Sequence, residues 1–156
     1  STAGYVWHLP VAVQREVQYV RRHDPTQCGR WLAVAADLSP LVSAGVLHAC
    51  QPENDDELAL LTRYAAIFRS DGEAMCMALA ESRGWVVATD DRKAIRIGQG
   101  AGLTMISCPE LVKIWADTAR PTDVVLRTVL RDIQLLAQFT PNPSMPQYAW
   151  WMSRLP

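Results

Sequence analysis

A chain of 156 residues is long enough for one domain with a sizeable core. Its 15 lysines and arginines nearly balance 16 acidic residues, which excludes strong overall attraction to nucleic acid but not a local basic groove. No apolar run approaches the roughly 20 residues of a membrane span and no signal peptide is visible, so we expect a cytoplasmic protein with no membrane partner.

The first segment, Tyr5 to Leu9, is predicted to be extended, and Pro10 suits the start of a helix over VAVQREVQYVRR. Val13, Val17 and Val20 repeat at helical spacing, and Glu16 lies on or beside their stripe. A carboxylate there either reaches water at the edge of the stripe or needs a partner.

The next part alternates loops with short apolar segments. We predict a loop over 23–30, a buried segment of either type over 31–36, a helical turn from Ser39 to Ser43 and a strand at GVLHAC. Asn54 and Glu57 form a capping box. The buried side of the following helix is predicted to carry Leu58, Leu61, Ala65 and Phe68, widened by Leu60, Tyr64 and Ile67.

The stretch SDGEAMCMALAESRGWVVATDDR makes the clearest prediction. Ser70 and Glu73 form a second capping box, the helix is apolar nearly all round, and Gly84 ends it. The apolar run 85–89 suits a strand buried on both faces of a parallel sheet. Asp90 and Asp91 follow at its carboxyl end, where α/β folds bind ligands.

Two interpretations of these acids stand side by side. Adjacent carboxylates repel unless a cation neutralises them, and a hard ion such as Mg²⁺ suits one or two carboxylates. Alternatively, Glu73 only completes a capping box and Asp90 or Asp91 only caps the next helix.

The remaining chain continues the alternation. A short helix after Asp91 is predicted to turn Ala94, Ile95 and Ile97 inward and to end in an exit at 98–102, followed by a strand over 104–107 and a helix from Pro109. A last long helix begins at 121–122, and a tail over 141–156 is predicted to be irregular, with Trp150 and Trp151 packed back on a single domain over 1–140. The predicted buried positions of the last helix are Val125, Val129, Ile133 and Leu136, helped by Leu126 and Leu130.

The patterns LPVAVQREV and DGEAMCMALAESRGWVVATDDRKA resemble the PIN-domain family, over roughly residues 9–115. The resemblance implies a three-layer α/β fold with a short central parallel sheet flanked by helices. It implies a ribonuclease that depends on Mg²⁺ or Mn²⁺ and cleaves single-stranded or structured RNA, such as the toxin of a toxin–antitoxin pair. An antitoxin-like protein and a second copy of the chain are the partners that it implies.

Matched residue by residue, the resemblance makes Glu16, Glu73, Asp90 and Asp91 the catalytic acids, with Glu73 and the aspartate pair holding the metal. Arg92 and Lys93, beside the acids, are candidates for phosphate binding; their plainer interpretation is a solvated start of a helix.

The pattern departs from the family in one respect. The family opens with a central strand that ends in an Asp, and no Asp precedes Asp24 here. Either the first strand is absent from a truncated form or the chain fills its place by another route, and we expect impaired or absent activity unless the acid is supplied. The alternative function is a non-catalytic PIN-like interaction domain. A phosphorylation receiver domain fits poorly, because its acidic pair follows the first strand.

Other chemistry has weaker support. His48 and Cys50 would face the same way on a strand, but without a second pair they are interpreted as buried strand residues rather than zinc ligands. The four cysteines are far apart and are predicted to be free thiols: Cys28, Cys50, Cys76 and Cys108.

Overall fold

The computed structural model describes residues 5–17, 19–23 and 30–155. The fold is mixed α/β, with short strands flanked by helices, as predicted. The strands are β1 (Trp7–Pro10), β2 (Tyr19–His23), β3 (Trp31–Ala35), β4 (Leu47–Cys50), β5 (Val87–Ala88) and β6 (Met105–Ile106). The helices are α1 (Val11–Glu16), α2 (Ser39–Ser43), α3 (Asp55–Ala65), α4 (Asp71–Arg83), α5 (Arg92–Gly100), α6 (Cys108–Ala119), α7 (Asp123–Leu136) and α8 (Tyr148–Met152).

Among the described residues the strands pair only in twos, whereas one central parallel sheet was predicted. The pairs β1–β4 and β5–β6 are parallel, and β2–β3 is antiparallel. The strand predicted over 85–89 is only two residues long. The prediction that this segment is buried on both faces was wrong, because Val86 is 49% exposed. An apolar run in the sequence does not show whether other parts of the protein will cover the second face of the strand.

The described residues form two compact units. The acid-bearing unit comprises Val6–Val17 and Asp37–Cys108. The C-terminal unit comprises the rest of the described chain, including the β2–β3 hairpin and residues 109–155. The domain boundary predicted after residue 140 falls inside the C-terminal unit. No helix among the described residues is long and apolar enough to cross a membrane.

The core of the acid-bearing unit is built around α4, which is buried on several sides, as its composition predicted. The predicted caps are present: the Ser70 hydroxyl accepts the Glu73 N–H at 3.2 Å, and Gly84 ends the helix at φ +65°. Glycine adopts this left-handed conformation without the steric cost of a Cβ atom. The buried partners of α4 include Tyr64 and Phe68 from the chain before it and Val87 and Ala94 from the chain after it.

A buried ion pair joins α3 to α4. Glu57 is 2% exposed, and its carboxylate accepts hydrogen bonds from Arg83 at 2.6 and 2.9 Å. Glu57 also accepts the N–H of Glu53 at 2.8 Å, while Asn54 caps α3 as predicted. The hydrogen bonds from Arg83 are the main reason that the pKa of Glu57 falls to about 2.

The predicted long first helix was wrong. Helix α1 ends at Glu16, and Tyr19–His23 form a strand instead of a further turn. The backbone of this segment pairs with Trp31–Ala35, a non-local partner that helical spacing cannot reveal. The loop predicted over 23–30 lies mostly outside the described residues, and its first residue belongs to β2.

Two further predictions about helices were wrong in detail. Helix α5 continues through Gly98 and Gly100, which were predicted to form an exit. A Cβ atom on Gly98 would lie 2.5 Å from the Met105 sulfur, so close packing rather than a chain break explains that glycine. In α3, Leu58 was predicted to be buried but is 50% exposed, whereas Tyr64 in the helix and Phe68 just after it are buried.

The C-terminal unit has a separate core of Leu126, Leu130 and Trp151. The buried face of α7 differs from the predicted one, because Val125 and Leu136, which were predicted to be buried, are 46% and 43% exposed. The tail is not wholly irregular, because α8 forms there and buries Trp151 completely. That tryptophan packs on the body of its unit, as predicted.

Candidate acidic site

Glu16 joins the end of α1 to the start of α4. Its Oε1 atom accepts the Gly72 N–H at 2.9 Å, and the Ser70 hydroxyl donates to both of its carboxylate oxygens at 3.0 Å. The first turn of a helix leaves backbone N–H groups without partners and carries partial positive charge. Of the two predicted alternatives, a partner or contact with water, Glu16 has both: it binds the start of α4 and is exposed. It holds the helix that carries Glu73.

Gly72 gives the Glu16 carboxylate room to reach α4. A Cβ atom there would lie 2.6 Å from Glu16 Oε2 and 3.1 Å from a methyl group of Val13. We expect Gly72→Ala to displace Glu16 and to lower the free energy of unfolding by about 1–3 kcal/mol, as overpacking does. Urea denaturation measures the loss.

Gly100→Ala is the matched control, because Gly100 also lies in a helix and an added Cβ atom meets nothing within 4 Å. This change should stabilise the protein by about 0.5–1 kcal/mol. Equal effects of the two alanines would contradict the close approach of Glu16 to α4.

Glu73 is a candidate acid with a partly apolar environment. It is half-buried, and none of the described residues forms a hydrogen bond with its carboxylate. Burial raises its pKa, and the negative charges of Asp91 and Glu16 raise it further, while Lys93 opposes the shift. Three carboxylates therefore influence one another electrostatically in this part of the unit.

The two aspartates have different roles. Asp91 caps α5, since its Oδ1 atom accepts the Ala94 N–H at 2.7 Å. Asp90 Oδ1 accepts the Cys108 N–H at 3.1 Å, at the start of α6. Burial and the hydrogen bond to Asp90 raise the pKa of the Cys108 thiol to about 12. Of the pair, Asp91 acts on Glu73, and Asp90 binds the backbone at Cys108, within the acid-bearing unit.

The two basic candidates also differ. Lys93 donates to the Ile67 carbonyl at 2.5 Å and lies 5.2 Å from the centre of the Phe68 ring, so it secures the chain after α3. Arg92 is exposed at the first position of α5. Its side chain fits the predicted contact with phosphate better than that of Lys93 does.

The donor set fits a hard divalent cation only loosely. Among the described residues no group of three or more metal-ligating side chains is assembled for an ion. The carboxylate oxygens of Glu73 have no hydrogen-bond partner among the described residues, and a nearby cation would lower its raised pKa. Asp91 uses one carboxylate oxygen to cap α5, and its other oxygen is not used in the cap. One or two carboxylates and several waters suffice for Mg²⁺.

The sequence did not indicate Ser70 and Gly72 as partners of Glu16. The only available signal was a small residue in the first turn of a capped helix, which is too common to identify a long-range contact. His48 and Cys50 were predicted to be buried strand residues. Cys50 is buried and is a free thiol, but His48 is exposed, so the prediction was wrong for His48.

Comparisons with protein-family models, with curated proteins and with solved structures found no match to this chain. The resemblance to PIN domains therefore stays a prediction, carried by the quoted motifs.

Proposed function

We propose that this chain is a PIN-like ribonuclease that hydrolyses RNA phosphodiester bonds with Mg²⁺ or Mn²⁺, in the manner of a toxin–antitoxin toxin. The observation that carries the proposal is that Glu73 is half-buried and that no described residue forms a hydrogen bond with its carboxylate. Burial and the charges of Asp91 and Glu16 raise its pKa, which agrees with this setting. Carboxylates that lie close together repel one another, and a bound cation or a shared proton relieves this repulsion.

Each residue has a distinct part in the proposal. Glu73 and Asp91 hold the cation, while Asp90, the third predicted ligand, binds the Cys108 N–H. Glu16, through Gly72 and Ser70, sets the position of the helix that presents Glu73. Arg92 contacts the RNA backbone. The cation supplies Lewis-acid chemistry for the hydrolysis.

The experiment compares Glu73→Gln with Asp71→Asn in an assay of labelled RNA with Mn²⁺, with EDTA as the metal-free arm. Asp71 lies in the same helical turn but is exposed, which makes it the matched control. We expect Glu73→Gln to reduce cleavage on the order of 10²-fold, as loss of an electrostatic catalytic group does, and Asp71→Asn to leave cleavage nearly unchanged.

Calorimetry with Mn²⁺ separates binding from catalysis in the same variants. Loss of Mn²⁺ binding in Glu73→Gln alone supports the assignment of this acid. Failure of the unaltered protein both to cut RNA and to bind Mn²⁺ would refute the nuclease proposal.

The second candidate is a non-catalytic PIN-like interaction domain that binds an antitoxin-like protein or a second copy of itself. Its support is that Glu16, Asp90 and Asp91 all accept backbone hydrogen bonds, which gives each a structural use without any metal. The exposed apolar side chains of α7, Val124 and Leu135 among them, offer a contact surface. Sedimentation over a concentration series, with no RNA cleavage at any concentration, would favour this candidate.

A further inference from the structure

Two histidines meet on neighbouring strands of the acid-bearing unit. His8 on β1 and His48 on β4 are directly opposite each other in the parallel register. Their ring centroids are 5.8 Å apart, and the rings are inclined at 41°. Both residues are exposed, so an ion can reach them from solvent.

The ring of His8 is held in place by packing. It stacks on Trp85, with centroids 3.9 Å apart and planes inclined at 14°. Trp85 is in turn covered by the guanidinium group of Arg83, 5.0 Å from the ring centroid. Stacking limits rotation of the imidazole and leaves the edges of the ring free. One ligand is thus oriented before an ion binds, which reduces the entropy lost on binding.

The separation of the rings suits a shared ion. With a metal–nitrogen bond of about 2.1 Å, two imidazoles on one ion have centroids roughly 5–6.5 Å apart. Among the described residues neither imidazole has a hydrogen-bond partner, so binding an ion would not require an existing hydrogen bond to break. Arg83 is the nearby cation, and its charge is already balanced by Glu57 and, at 3.5 Å, by Glu53.

We propose that His8 and His48 form a two-imidazole binding site for a borderline transition-metal ion such as Ni²⁺ or Zn²⁺. Imidazole nitrogen suits these ions, whereas carboxylates and water suit Mg²⁺ and Mn²⁺. The site is therefore chemically distinct from the acidic site. It also differs from the His48–Cys50 pair, because its ligands come from two strands and their shared ion ties β1 to β4.

The probe is Ni²⁺, which does not oxidise the free thiols of this chain. Isothermal titration calorimetry and thermal unfolding are run on the unaltered protein, His8→Gln, His48→Gln and the control His23→Gln. The control removes the remaining histidine of the chain, which belongs to the other unit. We expect one ion per chain and a Tm that rises with Ni²⁺ concentration, because the folded chain binds the ion and the unfolded chain separates the two histidines.

Each single variant should weaken Ni²⁺ binding by roughly 10²-fold, the scale on which a second linked contact adds affinity. The rise in Tm with Ni²⁺ concentration should disappear in the same variants. His23→Gln should keep both the Ni²⁺ affinity and the rise in Tm. Because His48 is exposed, His48→Gln should keep the fold even if His8→Gln disturbs the stack on Trp85. Unchanged Ni²⁺ affinity in His48→Gln, or an equal loss in His23→Gln, would overturn the site.

Discussion

Replacing Trp151 by alanine should lower the free energy of unfolding by about 3–5 kcal/mol, the range for truncating a large buried aromatic. The side chain is 0% exposed and packs with Leu126 and Leu130. Phe139 meets it edge-on, with ring centroids 6.3 Å apart. Its removal leaves a cavity beside Leu126 and Leu130 of α7. Chemical denaturation followed by circular dichroism measures the loss.

The neighbouring tryptophan provides the control. Trp150 is half-buried and lies 5.5 Å from the Lys113 ammonium group, so Trp150→Ala should cost clearly less. Trp151→Phe should also cost less than Trp151→Ala, because among the described residues the buried indole N–H has no hydrogen-bond partner to lose. If the two alanine variants were equally stable, the packing of α8 described here would be wrong.

Removing the cation of the buried ion pair should have the second large effect. In Arg83→Met the Glu57 carboxylate loses the two hydrogen bonds that Arg83 donates and keeps the one from the Glu53 N–H, while it stays between α3 and α4. An uncompensated buried charge is costly, and we expect Tm to fall by roughly 10 °C at pH 7. Arg63→Met is the control, since Arg63 pairs with Glu81 at the surface and is itself 51% exposed, and its loss should shift Tm little.

The same pair predicts how stability changes with pH. The pKa of Glu57 in the folded protein is about 2, below its ordinary value of 4.5. The stability that the pair contributes is therefore complete above pH 4.5 and is lost as the pH falls towards 2. We expect Arg83→Met to lack this contribution, so its Tm should differ from that of the unaltered protein much less near pH 2 than at pH 7. A difference that is constant over this range would contradict the assignment.

The elements that the sequence predicted well are those with local signals. The caps Asn54 and Ser70, the stop at Gly84 and the start of the last long helix near 121–122 each depend on residues within one helical turn, and all are present. The burial of α4 was also predictable, because a helix apolar on all sides can fold only inside a core. The resemblance over the same local stretch placed Glu73 and Asp91 in one site, and that site stays a prediction. In the structure the charge of Asp91 contributes to the raised pKa of Glu73.

Only the tertiary structure decided the remaining features, because they depend on contacts between distant parts of the chain. The segment after Glu16 becomes a strand because it pairs with β3. Glu16 itself accepts a hydrogen bond from the start of α4, more than fifty residues away. Which side of α7 is buried depends on Trp151, which the sequence placed in an irregular tail. Local propensity determines where helices begin and end, whereas burial and pairing determine what each side chain contacts, and the candidate site is made of such contacts.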